Sequence, residues 1–117
     1  MQKHISQVVG TSFHLKPLGA YKLRNEGTID HATTFIGHAI LIPEPENEFD
    51  PTAIAVYGRM KDETAHLLGY LAKGNPLKAF ISEPIETKLI ITHYESTVKE
   101  YNDKYQVEYF LPLEGEG

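Results

Sequence analysis

Short segments with strand character recur along this chain, and stretches rich in glycine, proline and acidic residues separate them. β-Branched, aromatic and other apolar residues bounded by turn residues are typical of β-strands. We therefore predict six strands, at residues 5–13, 34–42, 53–57, 64–71, 85–94 and 105–111. The third and fourth of these are separated by a short polar turn and are expected to form a hairpin.

Two other regions lack strand character. Residues 15–33 are rich in residues that favour turns, and we expect a long irregular connection there. After residue 74, Asn75 and Pro76 suit the cap and the first turn of a helix. Leu77, Phe80 and Ile81 follow with the spacing of one helical face. We predict a helix of about two turns that ends before Pro84.

The number and length of these elements predict a mostly β fold. The chain has 117 residues, of which 41% are apolar, enough for the core of one domain. Six short strands form a small closed barrel, OB-like or SH3-like, without leaving sheet edges that need protection. We expect a single domain with its core at residues 5–112, one or two short helices, and an acidic tail at 113–117 that frays.

Composition and motifs exclude several classes of site. The chain has no cysteine, which excludes disulfides and thiolate metal sites. Its six histidines show no H-x-x-x-H spacing, and no P-loop or nucleophile elbow occurs. We therefore expect a non-catalytic binding domain that requires neither a cofactor nor a metal ion.

The same composition predicts a cytoplasmic protein. No apolar run approaches the ~20 residues that span a bilayer, and the N-terminal residues lack the apolar segment of a signal peptide. The absence of cysteine suits a reducing compartment. The net charge is −5, whereas proteins that bind nucleic acid usually carry a basic face. A site for nucleic acid on this chain would therefore be local.

Three motifs occur in a characteristic order. They are V-V-G-x-x-F at residues 8–13, E-P-x-N-x-x-D-P-x-A-I-x-V at 44–56 and G-Y-L at 69–71. Together they resemble the HIRAN domain over roughly residues 5–84. The chain looks like the small stand-alone members of that family that occur in bacteria. The resemblance implies a modified OB-like barrel with helical additions.

The resemblance also implies a function and a set of site residues. The best-understood type of HIRAN domain binds single-stranded DNA at its 3′ end in an aromatic-lined pocket. Asp50 matches the aspartate that contacts the terminal 3′-hydroxyl, and Phe49 matches the aromatic residue before it. Phe13 matches an aromatic residue of the first strand. Lys73 matches a lysine that contacts backbone phosphate.

The chemistry of these side chains suits those roles. A carboxylate accepts a hydrogen bond from a hydroxyl group and repels a phosphate, so Asp50 would distinguish the two kinds of 3′ end. Aromatic side chains stack on bases. Lys16, Lys22 and Arg24 form the densest basic stretch of the chain, beside Tyr21, and we predict that they make further phosphate contacts.

Structural interpretations of the same residues stay open. Asp50 and Asn47 suit turns, Phe13 and Phe49 suit a barrel core, and Lys73 suits a solvated surface. Ser12 occupies a position where DNA-binding relatives can have arginine, and the central motif carries three glutamates, Glu44, Glu46 and Glu48. The alternative function is an acidic adaptor that binds a protein of the DNA repair or processing machinery.

Overall fold

The computed structural model describes residues 1–11, 15–95 and 103–111. Within these residues the chain forms seven strands, and every pairing between them is antiparallel. The strands are β1 (Gln2–Val9), β2 (Arg24–Ile29), β3 (Ala32–Pro43), β4 (Ile54–Arg59), β5 (Ala65–Leu71), β6 (Ile85–Tyr94) and β7 (Lys104–Leu111). Two short 3₁₀ segments, Leu18–Ala20 and Pro76–Phe80, lie between them.

Six of the strands form a closed ring in the order β3-β4-β5-β1-β7-β6, and β6 returns to pair with β3. This confirms the predicted mostly β barrel. β3 is the longest strand and joins the two sides of the ring. Residues 32–41 of β3 pair with β6, and residues 39–43 pair with β4 on its other edge. The predicted hairpin of β4 and β5 is also present.

The seventh strand, β2, corrects the prediction of an irregular connection at residues 15–33. β3 extends beyond the part that β4 covers, and β2 pairs with that free edge. All six residues of β2 are exposed, so it lacks the apolar alternation by which strands are recognised. The turn into β3 uses Asp30 and His31, both with positive φ (50° and 67°). Such turns usually carry glycine, which explains why the sequence did not reveal this hairpin.

The first strand also differs from its prediction. β1 starts at Gln2 and ends at Val9 rather than extending to residue 13. Gly10 has a φ of 73° and follows the last residue of the strand. A left-handed conformation interrupts a strand because it turns the next peptide away from the pairing direction. The predicted tail at 113–117 lies outside the described residues.

The barrel core comes from alternate residues of the strands. Leu41, Val56, Leu89 and Val107 are fully buried, and β7 buries every second residue from Tyr105 onward. Tyr21 is also buried, although it belongs to the connection before β2. Its hydroxyl accepts a hydrogen bond from the backbone N–H of Lys16 at 2.9 Å. Burial raises the pKa of Tyr21.

The predicted helix is a 3₁₀ helix of five residues instead of an α-helix. Its start agrees with the prediction, because the Asn75 side chain accepts a hydrogen bond from the Leu77 N–H at 2.9 Å. Its apolar face agrees in part. Ile81 is buried and Leu77 packs against the core, whereas Phe80, which was predicted on the same face, is exposed. A 3₁₀ helix has three residues per turn, so residue 78 shares a face with residue 81, and Lys78 is buried.

Candidate functional site

The loop between β3 and β4 is held in one conformation by its own hydrogen bonds. The Glu44 N–H donates to the Ala53 carbonyl at 2.9 Å and closes the base of the loop. Inside it, the Asn47 side-chain oxygen accepts hydrogen bonds from the backbone N–H groups of Phe49 (2.9 Å) and Asp50 (3.0 Å). Asn47 therefore determines the direction in which the next two side chains leave the loop.

Phe49 projects into solvent. Its residue surface is 90% exposed, so the interpretation of Phe49 as a core residue is wrong. Large aromatic side chains usually bury most of their area, and an exposed one on an ordered loop is available for a ligand. A π-face of this kind suits stacking on a base or packing against an apolar group of a protein.

Asp50 makes hydrogen bonds with both carboxylate oxygens. Oδ1 accepts from the backbone N–H of Thr52 (2.9 Å) and from its hydroxyl (2.6 Å), and Oδ2 accepts from Nζ of Lys78 (3.0 Å). The hydrogen bond from the Thr52 hydroxyl, followed by that from Lys78, lowers the pKa of Asp50 to about 2. Asp50 thus stabilises the turn through its bonds with Thr52. Its side chain remains 19% exposed, so the ionised carboxylate is also accessible as an acceptor for a hydrogen bond from a ligand.

A second aspartate shows what the turn alone produces. Oδ1 of Asp62 accepts hydrogen bonds from the N–H and the hydroxyl of Thr64, as Asp50 does from Thr52. These bonds lower the pKa of Asp62 as well. The recorded ion pairs of the described residues include none at Asp62, whereas Asp50 is paired with Lys78. The cation is what distinguishes the two aspartates.

Lys78 was not identified from the sequence. Its side chain is 5% exposed, and it is the one charged residue among the buried residues that the structure describes. Nζ also donates to the backbone carbonyl of Lys73 at 3.3 Å. The spacing of the apolar residues assigns the inner face to Leu77, Phe80 and Ile81, and the 3₁₀ period places Lys78 directly in line with Ile81 instead. No signal in the sequence distinguishes these two periods in so short a segment.

Phe49, Asp50 and Lys73 line one cavity of about 330 Å³. The other lining residues are Val9, Asn47, Ala53, Tyr70 and Leu71. They come from the end of β1, the β3–β4 loop and the end of β5. Strand pairing brings these segments together, because Tyr70 lies opposite Val9 on one side and Ala55 on the other. The lining is mostly apolar and contains one cation and one carboxylate.

The glutamates of the central motif lie outside this lining. Glu44 and Glu46 line a separate concavity with Pro45 and Asn47. Oε1 of Glu44 accepts a hydrogen bond from the side-chain amide of Asn47 at 2.9 Å. Burial, followed by the hydrogen bond with Glu44, raises the pKa of Tyr70. Val9 and Tyr70 belong to the outer two motifs, although the sequence predicts no site role for either.

The remaining predicted site residues are not brought to this cavity. Phe13 and the neighbouring Ser12 lie outside the described residues. Lys22 and Arg24 line a different groove of about 690 Å³ and form ion pairs with Glu63 (2.5 Å) and Glu26 (2.5 Å). Lys16 lines neither cavity. The basic stretch is thus separated from Lys73, and two of its cations are already paired with carboxylates.

Other features bear on what the site could hold. Among residues 1–11, 15–95 and 103–111, no group of three or more histidine and acidic side chains is placed to hold a metal ion. In the same part of the chain, no helix has the length and apolar character to cross a membrane. Comparisons with protein-family models, curated proteins and solved structures found no match. The likeness to the HIRAN domain rests on the three motifs.

Proposed function

We propose that this chain is a HIRAN-like module that binds single-stranded DNA and holds a 3′-hydroxyl end in the cavity of Phe49, Asp50 and Lys73. The observation that carries the proposal is the convergence of these three side chains in one cavity, with Phe49 90% exposed. A cytoplasmic location, expected from the cysteine-free composition, belongs to the same proposal.

Each side chain contributes a different interaction. Phe49 stacks on a base near the end of the strand, and the Lys73 ammonium pairs with a backbone phosphate. Asp50 accepts a hydrogen bond from the terminal hydroxyl. With a pKa of about 2, its carboxyl group is ionised at neutral pH and acts only as an acceptor. A terminal phosphate would place negative charge against that carboxylate and would be repelled.

The charge distribution favours a local site of modest affinity. Lys73 is the one cation among the residues that line the cavity, and the whole chain has a net charge of −5. Phosphate contacts provide much of the affinity of proteins for nucleic acid. Affinity here would depend on the stacking and the end contact more than on charge.

Fluorescence anisotropy with short strands labelled at the 5′ end tests this proposal at low salt. We expect the strand with a 3′-hydroxyl to bind more tightly than the same strand with a 3′-phosphate. Lys73→Ala should weaken binding of both strands, whereas Lys61→Ala, at an exposed lysine outside the cavity, should change neither. Equal binding of the two strands would contradict recognition of the end, and binding of neither would contradict the function.

A second candidate function is the acidic adaptor. It is favoured by the apolar lining from Val9, Ala53 and Leu71 beneath an exposed phenylalanine, and by the acidic turn beside it. A basic, apolar segment of a DNA-processing protein would suit this surface. This alternative predicts that a purified repair protein binds the domain and that Phe49→Ala abolishes that binding, while the oligonucleotides do not bind. Tight DNA binding without any protein binding would exclude it.

A further inference from the structure

One buried ammonium group connects the two segments that supply the polar groups of the cavity. Nζ of Lys78 donates to Oδ2 of Asp50 at 3.0 Å, in the β3–β4 loop, and to the carbonyl of Lys73 at 3.3 Å, just after β5. Lys78 itself belongs to the 3₁₀ helix and does not line the cavity. Lys78 therefore contacts Asp50 and Lys73 without being part of the cavity lining.

The surroundings of Lys78 are apolar. Its side chain lines a neighbouring groove of about 700 Å³, on which four prolines and Ile42, Ile54 and Ile81 also lie. Placing an ammonium group in such surroundings carries a desolvation cost that its ion pair does not reliably offset. Replacing both members of a buried ion pair by apolar side chains of similar volume is often neutral or stabilising. Stability alone therefore does not explain a lysine at this position.

The geometry instead relates Lys78 to the orientation of Asp50. Thr52 holds Oδ1 through two hydrogen bonds, and Lys78 holds Oδ2, so rotation of the carboxylate is restrained at both oxygens. A group held in its productive orientation before the ligand arrives loses less entropy on binding. The bond from Lys78 to the Lys73 carbonyl restrains the backbone of the phosphate-binding lysine in the same way.

Lys78 also offsets the charge of Asp50. Without a nearby cation, the carboxylate would repel the phosphates of any strand that enters the cavity. The ammonium at 3.0 Å forms a pair with no net charge, while Lys73 adds a positive charge at the lining. The site thus keeps a hydrogen-bond acceptor for a hydroxyl group with little net repulsion of the more distant phosphates of the strand. A terminal phosphate in direct contact with the Asp50 oxygens is still repelled.

We infer that Lys78 is a positioning residue of the DNA-binding site, which holds the Asp50 carboxylate and the Lys73 backbone in the arrangement that recognises a 3′-hydroxyl end. The inference rests on the proposed function. It assigns a role in recognition to a buried side chain that makes no contact with the strand.

A double-mutant cycle tests the inference with the full chain. Lys78→Met removes the charge and keeps a similar volume. Because it leaves the Asp50 carboxylate without its cation, we expect a melting temperature below that of the wild type, while the partial exposure of Asp50 (19%) lets the variant stay folded. We expect its affinity for the 3′-hydroxyl strand to fall about tenfold, since an end contact to a charged group contributes on that scale. In the Asp50→Asn background the same substitution should lower that affinity by a smaller factor, because only the hydrogen bond to the Lys73 carbonyl is then lost. Lys88→Met is the matched control, because it removes the same charge from an ion pair with Glu108 in which the lysine side chain is about half exposed.

A second measurement tests the hydrogen bond between Lys78 and Asp50 in the absence of DNA. Titration of the Asp50 carboxyl group by NMR should give a higher pKa in Lys78→Met than in the wild type, whereas Asp62 should not change. A folded Lys78→Met that binds like the wild type, or that loses the same affinity in the Asp50→Asn background, would overturn the inference. If the wild-type protein binds no strand, the proposed function is overturned instead. If the Asp50 pKa is the same in Lys78→Met and the wild type, Lys78 does not hold the carboxylate and the inference is overturned.

Discussion

At the scale of single residues, the candidate site combines side chains in unusual environments. Phe49 is an exposed aromatic residue and Lys78 is a buried cation. Asp50 follows Phe49 in the β3–β4 loop and forms an ion pair with Lys78 of the 3₁₀ helix. Each arrangement has a local cost, since exposed aromatic surface and buried charge are both unfavourable in isolation. Substitutions at these positions should therefore affect binding and stability to different extents.

Phe49→Ala should separate binding from stability. The side chain is 90% exposed, so we expect the free energy of unfolding to change by less than about 0.5 kcal/mol. Loss of the stacking surface should weaken binding of single-stranded DNA by about 1–3 kcal/mol. Urea denaturation and anisotropy measure the two quantities. The matched control is Phe110→Ala, at a phenylalanine that is 53% exposed beside the other groove. A loss of binding in the control alone would place the interface on that groove.

Asp50 should make stability depend on pH in the acid range. Its pKa of about 2 in the folded protein is below the value of about 3.9 for an unfolded chain. The ionised form is thus preferred in the native state, and its contribution is complete above the unfolded value and is lost as the pH falls through about 2. We expect the difference in melting temperature between wild type and Asp50→Asn to shrink from pH 5 to pH 2. If the difference in melting temperature is constant over this range, ionised Asp50 does not stabilise the native state.

At the scale of elements, the site depends on a narrow junction. β1 and β5 share only two register pairs in the described residues, Val8 with Leu71 and Val9 with Tyr70. Both strands end there and contribute Val9, Tyr70 and Leu71 to the cavity. The junction closes the barrel and shapes the site, so a change in strand spacing should affect both.

Gly69→Ala should open this junction. A Cβ atom at residue 69 would lie 2.3 Å from the backbone oxygen of Val9 and 3.0 Å from a methyl group of Val8, and the backbone oxygen cannot move aside without shifting the strand. We expect a loss of about 1–3 kcal/mol in the free energy of unfolding, measured in urea, together with weaker DNA binding. Gly74→Ala is the control, because no atom lies within 4 Å of its added Cβ. Equal free energies of unfolding for the two variants would show that β1 and β5 can move apart without loss of stability.

At the scale of the whole molecule, the distribution of charge limits the phosphate contacts that the proposed DNA-binding site could make. The chain carries a net charge of −5, and Lys22 and Arg24 are paired with glutamates on another groove. Among the described residues that line the proposed site, Lys73 supplies the positive charge. The number of phosphates that the domain neutralises should therefore be small.

The salt dependence of binding measures that number. A protein that neutralises one phosphate of a single strand should show a slope of about −0.7 in a plot of log K against log salt concentration. We expect a value near this for the wild type, and a slope near zero for Lys73→Ala. A wild-type slope of about −2 or steeper would show that further cations, such as those of the 15–33 segment, contact the strand.

Several parts of the fold followed from local sequence. The bounds predicted for β6 agree with the structure, and the predicted hairpin of β4 and β5 is present. Asn75 caps the segment that it was predicted to cap. These features depend on the alternation of apolar side chains and on the backbone preferences of a few turn residues, which neighbouring residues in the chain determine.

Tertiary structure decided the rest. β2 forms because β3 extends beyond its partner β4, and no property of residues 24–29 alone reveals that edge. The 3₁₀ period that buries Lys78 is selected by packing against the barrel, since so short a segment has little preference of its own. The sequence thus determined a small barrel and the turn that carries Phe49 and Asp50. The register of strands far apart in the chain decided that Lys73 lines the same cavity, and that a lysine holds the carboxylate from behind.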